Sequence, residues 1–179
     1  MRWVTLFLLA LAAMVVLPAA ADTSGATRNP DSHFFQAGFG NLKEDLATAR
    51  QEGKLGILLM FEMEECPFCQ RMKATVLNRV EVQDYFRQHF LVYPIDVRGD
   101  IGLVDFDGND MAEKTFALRE RVRATPVFIF YGLDGKPITR YSGMTRTAEE
   151  FLLLGRYVVE GAHRQMPFAD YKRQAAARK

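Results

Sequence analysis

Two cysteines are present in the 179-residue chain, and they stand together as Cys66-Pro67-Phe68-Cys69. Two thiols three positions apart at a helix start lie close enough to close a disulfide, and the first lies near unpaired helix N–H groups that favour its thiolate. That pattern suits thiol–disulfide exchange: a thiolate attacks a disulfide, and the second thiol expels the mixed disulfide the first has formed. Cys66, at the helix start and towards the surface, is the expected nucleophile, and Cys69, one turn in, the expected resolving thiol. Pro67 suits the first helical turn, where its missing N–H costs no hydrogen bond. Phe68 offers an apolar surface beside the sulfur, for a substrate or for packing. Covalent haem attachment would need His directly after the second cysteine, where Gln70 stands. Zinc would need two further ligands, and His33, His89 and His163 are scattered without ligand spacing, so neither metal nor cofactor is expected.

The elements that must position this pair follow from the flanking pattern. Residues 57–61 are continuously apolar, which implies a strand covered on both faces. Before it, Asn41 can cap a helix to about Glu52 that carries Leu42, Leu46 and Ala49 at helical spacing and ends at Gly53. After the motif, a helix with Met72 and Val76 bends near Asn78 and continues through Val82, Tyr85, Phe86 and Phe90. Residues 91–97 make a second strand, with Pro94 implying an exposed edge or a bulge. Residues 98–110 are rich in Gly and Asp. Asp105, Asp107 and Asp110 invite a calcium reading, but their spacing does not fit an EF-hand, and a solvated turn is expected instead, with Asn109 or Asp110 capping a helix over about 111–121. Thr125-Pro126 opens a strand over 127–131, and Asp134-Gly135 turns it into a partner over 138–141. Thr147 and Glu150 have capping-box spacing ahead of a helix that buries Phe151, Leu154, Tyr157 and Val158.

The C-x-x-C after an apolar strand, the Thr125-Pro126 pair and the hairpin together resemble the thioredoxin superfamily over roughly residues 41–161. The resemblance implies an α/β fold with a mixed central sheet of about four strands flanked by helices, and a cis Pro126 lying against the cysteines. It also implies that Thr125 leaves its backbone free for a substrate strand. The similarity is greatest to small periplasmic thioredoxin-like proteins, including those that accompany sulfur oxidation. Thioredoxins carry a buried acid six residues before the first cysteine, where this chain has Met60. Glu62, on the same strand face by alternation, is the better substitute and Glu64 the other, with a plain solubilising charge as the alternative for Glu62.

The rest of the chain bears on compartment and direction. Residues 1–21 read as a cleavable secretory signal peptide, with Arg2 ahead of an apolar stretch and alanines before Asp22. A periplasmic protein is therefore expected in a Gram-negative source. The 23 Lys and Arg against 22 Asp and Glu fall level once Arg2 is set aside, which gives no footprint for nucleic acid. Residues 22–40 read as a flexible leader whose end Phe34, Phe35 and Phe39 pin, and 162–179 as a basic tail, solvated or a frayed helical end. An exported protein whose sole cysteines form one C-x-x-C is using them for redox chemistry rather than as a scaffold. Glu62, Glu64 and Glu65 near Cys66 oppose its thiolate, and the resemblance offers no histidine between the cysteines as strong oxidants have. A monomeric reductase of disulfides in exported proteins, recharged by a membrane thiol donor, is the expectation. A disulfide oxidase or isomerase, the latter hinted at by Thr125, and a non-catalytic peptide-binding module are the alternatives.

Overall fold

The structure is a computed structural model that describes residues 25–38 and 40–178. The expected signal peptide and Phe39 lie outside the described residues. A short helix α1 (Pro30–His33) is capped by the Asn29 side chain. Helix α2 (Leu42–Gln51) begins as expected at Asn41, whose Oδ1 accepts the Glu44 N–H at 3.1 Å, and buries Leu42, Leu46 and Ala49. Gly53 follows it at φ +67°. Strand β1 (Gly56–Glu62) leads through the cysteine motif into α3 (Pro67–Met72). A π-helical turn (Lys73–Leu77) then keeps Val76 and Leu77 buried before the chain breaks at Asn78 and Arg79 and restarts as α4 (Val80–His89). Next come β2 (Phe90–Asp96), β3 (Gly102–Val104), β4 (Asp110–Ala112), α5 (Glu113–Arg119), β5 (Val127–Gly132), β6 (Pro137–Ser142), α6 (Ala148–Val159) and, after a 3-10 turn at Ala162–Arg164, α7 (Phe168–Ala177).

The sheet order is β2-β1-β5-β6, with β1 and β2 parallel and the other neighbours antiparallel. This is the mixed four-stranded α/β architecture expected. Side chains of β1 alternate between two cores, which explains its unbroken apolarity. Leu58 and Met60 join Phe86, Phe128, Phe130 and Phe151 on one face, while Ile57, Leu59 and Phe61 join Leu46, Phe116 and Tyr131 on the other. Gly56 has φ +154°, and a Cβ there would stand 1.9 Å from the Tyr131 carbonyl oxygen, so the entry to β1 admits only glycine. Pro94 sits without a bulge because β2 is an edge strand. Gln36 lies along that edge: its N–H donates to the Val92 carbonyl at 2.9 Å, and its side-chain oxygen accepts the Val92 N–H.

Five expectations are corrected. Residues 98–110 hold part of a small hairpin, β3 with β4, rather than only a solvated turn. Neither Asn109 nor Asp110 caps α5; Ala112 precedes that helix with no side-chain bond, because the Asn109 amide is turned onto Asp105. Asp105, fully buried, accepts the N–H groups of Asp107 and Asn109 at 2.8 Å, the Asn109 amide at 2.9 Å and the Arg119 guanidinium. Burial alone would push its carboxyl up, but these donors hold it well below the usual carboxylate range. Its oxygens are thus occupied, and it is no open calcium ligand. The leader is pinned at its end by Phe34 and Phe35, both buried as expected, but it is held further back as well: Thr27 bridges Arg79, and Arg28 donates to Gln83 at 2.9 Å and pairs with Asp84. The tail beyond Pro167 is an ordered helix, with Phe168 and Tyr171 against the Tyr157 ring at 5.4 Å each. Thr147 caps α6 as expected, but Glu150 reaches the N–H of Arg146 at 2.9 Å rather than that of Thr147, its other oxygen being drawn to Lys172.

Candidate active site

The motif forms where β1 ends. The Met63 carbonyl accepts the Cys66 N–H at 3.2 Å, turning the chain so that Cys66, in extended conformation at φ −93° and ψ 104°, becomes the cap of α3. Its Sγ accepts the Cys69 N–H at 3.1 Å, and Pro67 fills the first helical turn as expected. The two sulfurs are bonded, with the Cα atoms 5.2 Å apart. When the pair is reduced, the same cap geometry sets a backbone donor on a Cys66 thiolate, which lowers its pKa. The difference in exposure expected between the thiols is not there: Cys66 is 2% exposed and Cys69 1%. Both lie in the apolar cluster of Met60 and Met72, and their asymmetry lies in the cap, since Cys66 receives a helix N–H and Cys69 sits within the first turn. Phe68, by contrast, is 59% exposed, so it is not a packing residue.

Antiparallel pairing aligns the end of β1 with the start of β5, Phe61 opposite Val127. That register brings Thr125 and Pro126 to the motif's end of the sheet. The peptide between them is cis, and the Pro126 carbonyl is fixed by the Gly143 N–H at 2.8 Å. The Thr125 hydroxyl is buried without a hydrogen-bond partner. Met63, which holds Cys66, lines one cavity together with Thr125.

Glu62 is on the Met60 face, as alternation requires, and is half-buried in an ion pair with Lys73 at 2.8 Å. Lys73 also reaches Asp31 at 3.0 Å and lies over the Phe35 ring, 5.3 Å from its centre. Burial raises the Glu62 carboxyl above its ordinary value; Lys73 opposes this and the Asp31 and Asp96 carboxylates add to it. Burial would lower the Lys73 ammonium, but Glu62 and Asp31 together outweigh it, so Lys73 titrates above its ordinary value. A polar cavity of about 270 Å³ opens between Glu62, Met63, Glu64, Gln70, Lys73 and Asp96. Lys73 and Asp31 carry little sequence signal as site residues. The one hint is that Lys73 follows Cys69 by four positions, about one helical turn.

The acidic rim is weaker than its sequence implies. Glu65 pairs with Arg98 at 2.8 Å and Glu62 with Lys73, which leaves Glu64 as the carboxylate near Cys66 with no ion-pair partner among the described residues. His33, His89 and His163 lie on α1, α4 and the 3-10 turn. Among the described residues no group of three or more His, Cys, Asp or Glu is placed to hold a metal ion, and no helix is long and apolar enough to cross a membrane.

Comparison with curated protein sequences finds no match. Among solved structures, a thioredoxin-fold protein from Helicobacter pylori superposes with a TM-score of 0.60 at 21% identity, over 81% of this chain and 89% of that one. A thioredoxin from Thermus thermophilus matches with a TM-score of 0.51 at 30% identity, over 65% of this chain and 82% of that one. A DsbH oxidoreductase matches with a TM-score of 0.54 at 17% identity, over 78% and 92%. A family model described as the thioredoxin-like domain matches residues 42–159, which take in β1, the cystine, the cis Thr125–Pro126 bond and α6. On that match and this architecture, the chain belongs to the thioredoxin-like domain family.

Proposed function

We propose that this protein is an exported, periplasmic thiol–disulfide oxidoreductase that acts as a monomeric disulfide reductase. The observation that carries this reading is the Cys66–Cys69 pair at the cap of α3, with the Cys69 N–H on the Cys66 sulfur. In the reduced protein the Cys66 thiolate attacks a substrate disulfide; its S–S bond breaks and the departing thiolate takes a proton from water. Cys69 then loses its proton to Glu62 through water in the adjoining polar cavity. Its thiolate attacks the Cys66 sulfur and releases the second substrate thiol. Two electrons have passed to the substrate, and the protein is left as the disulfide. A membrane thiol donor restores it, because an oxidising compartment does not.

Pro67 orders the cap, Phe68 presents apolar surface to the substrate, and Thr125 with Pro126 receives the substrate strand. Disulfide-bearing exported proteins are the substrates, and residues 1–21 are the export signal. The uncompensated Glu64 beside the motif and the absence of histidine between the cysteines support reduction over oxidation. The test is the reduction potential of the pair, measured by equilibrating the protein with a defined glutathione buffer. A value near or below about −220 mV supports the reductase, and one above about −150 mV overturns it in favour of a disulfide donor.

A further inference from the structure

Between Met63, just before the motif, and Thr125, on the side of α5, lies a second cavity of about 320 Å³. Its walls are apolar: Met63 from the motif, Val97 after β2, Ala117 and Leu118 from α5, and Val122. Leu118 is 74% exposed, beside Phe116 and Ala117 that α5 buries, so its side chain is open to a partner. The cavity also reaches Thr125, the residue with the buried, unpartnered hydroxyl. At the rim stand two cations. Arg123 has no ion-pair partner among the described residues, and Arg98 is held only by Glu65, in an exposed pair that exchanges readily. Glu64, with no ion-pair partner among the described residues, belongs to the motif, while Glu65 lies against Arg98.

Resting on the oxidoreductase reading, we propose that this cavity is a specificity subsite. It takes a large apolar side chain next to the substrate's cysteine, and Arg98 and Arg123 select substrates in which an acidic residue follows. Its size lies at the low end of the roughly 300–1,000 Å³ of small-ligand sites, enough for one such side chain. The apolar wall supplies affinity, and the two arginines favour an acidic partner over a basic one.

Three synthetic peptides test this, each with one cysteine carried as a mixed disulfide with thionitrobenzoate and followed by Leu-Asp, Leu-Lys or Ser-Asp. The reduced Cys69→Ser chain attacks through Cys66; the peptide's S–S bond breaks, the Cys66–peptide disulfide forms, and the thionitrobenzoate anion leaves as the coloured product. Each rate is divided by that peptide's rate with free dithiothreitol to remove intrinsic reactivity. The first turnover of the reduced native chain gives the same ranking independently of how the variant folds. Leu-Asp should react about three- to fivefold faster than Leu-Lys for each cation engaged, with the gap closing at high salt. Ser-Asp should fall behind Leu-Asp, Arg123→Glu should invert the charge preference, and Leu118→Asp should remove the preference for leucine. Equal rates for the three peptides, or a faster Leu-Lys, overturn the subsite and leave the oxidoreductase reading standing. No thionitrobenzoate release from any peptide overturns both.

Discussion

The Thr125 hydroxyl and the Lys73 ammonium define the site at the scale of single residues, one by lacking a partner and the other by having several. Replacing Thr125 by the near-isosteric valine removes a buried polar atom that bonds to nothing, so the folded protein should lose no stability and gain up to about 1 kcal/mol. Chemical denaturation reads this directly; a loss above that size would mean that the hydroxyl is satisfied in solution. Lys73→Met leaves Glu62 half-buried without its cation and should cost about 1–2 kcal/mol. Its kinetic effect separates a proton acceptor from a structural ion. The native Glu62 titrates above its ordinary value of 4.5, so its carboxylate forms, and can accept the Cys69 proton, only as pH rises through that raised value. Without Lys73 the value climbs further, and the pH midpoint of second-thiol release should move up with it. A midpoint that stays put would remove Glu62 from the proton path.

Among the elements, the hairpin of β3 and β4 depends on Asp105 as a helix depends on its caps. Its carboxyl is depressed when folded, so its contribution is fully present above the unfolded value of about 3.9 and is lost as pH falls through and below it. Asp105→Ala would leave two backbone N–H groups, the Asn109 amide and Arg119 without their acceptor, and should cost about 2–4 kcal/mol at neutral pH. The difference from the native protein should shrink in thermal unfolding at low pH. This hairpin was not legible in the sequence because its strands are three residues long and its turn is built from residues that ordinarily mark solvent. What was legible had strong local physics: the apolar run of β1, Asn41 and Thr147 as caps, the Asp134-Gly135 turn, and Pro94 on an edge. The cysteine pair was legible by type and spacing, and the cis proline only through the resemblance to the thioredoxin superfamily. Lys73 and Asp31 were not, because their meeting with Glu62 depends on three separate elements converging. Helix α7 left only a faint trace, Phe168 and Tyr171 one turn apart in an otherwise polar tail.

For the molecule as a whole, residues 25–38 close one side of the core. Phe34 is fully buried, with its ring 5.9 Å from Phe86 and 6.1 Å from Phe151, so it joins α1 to α4 and α6. Phe34→Ala should cost about 3–5 kcal/mol in global unfolding, as a core residue does, where a passive leader would cost nothing. The same segment has a second effect, through Gln36. In β2 the N–H groups of alternate residues, 90 to 96, face away from β1, and three of these four positions offer no free donor: that of Phe90 returns to Phe86, that of Val92 goes to Gln36, and Pro94 has none, which leaves Asp96 at the end of the strand. An exposed edge with a row of free donors is a template on which other chains add as strands and aggregate. This edge offers a passing unfolded chain no such row, so partly unfolded, disulfide-bearing clients of the kind the proposed function calls for would not be seeded into a fibril along β2.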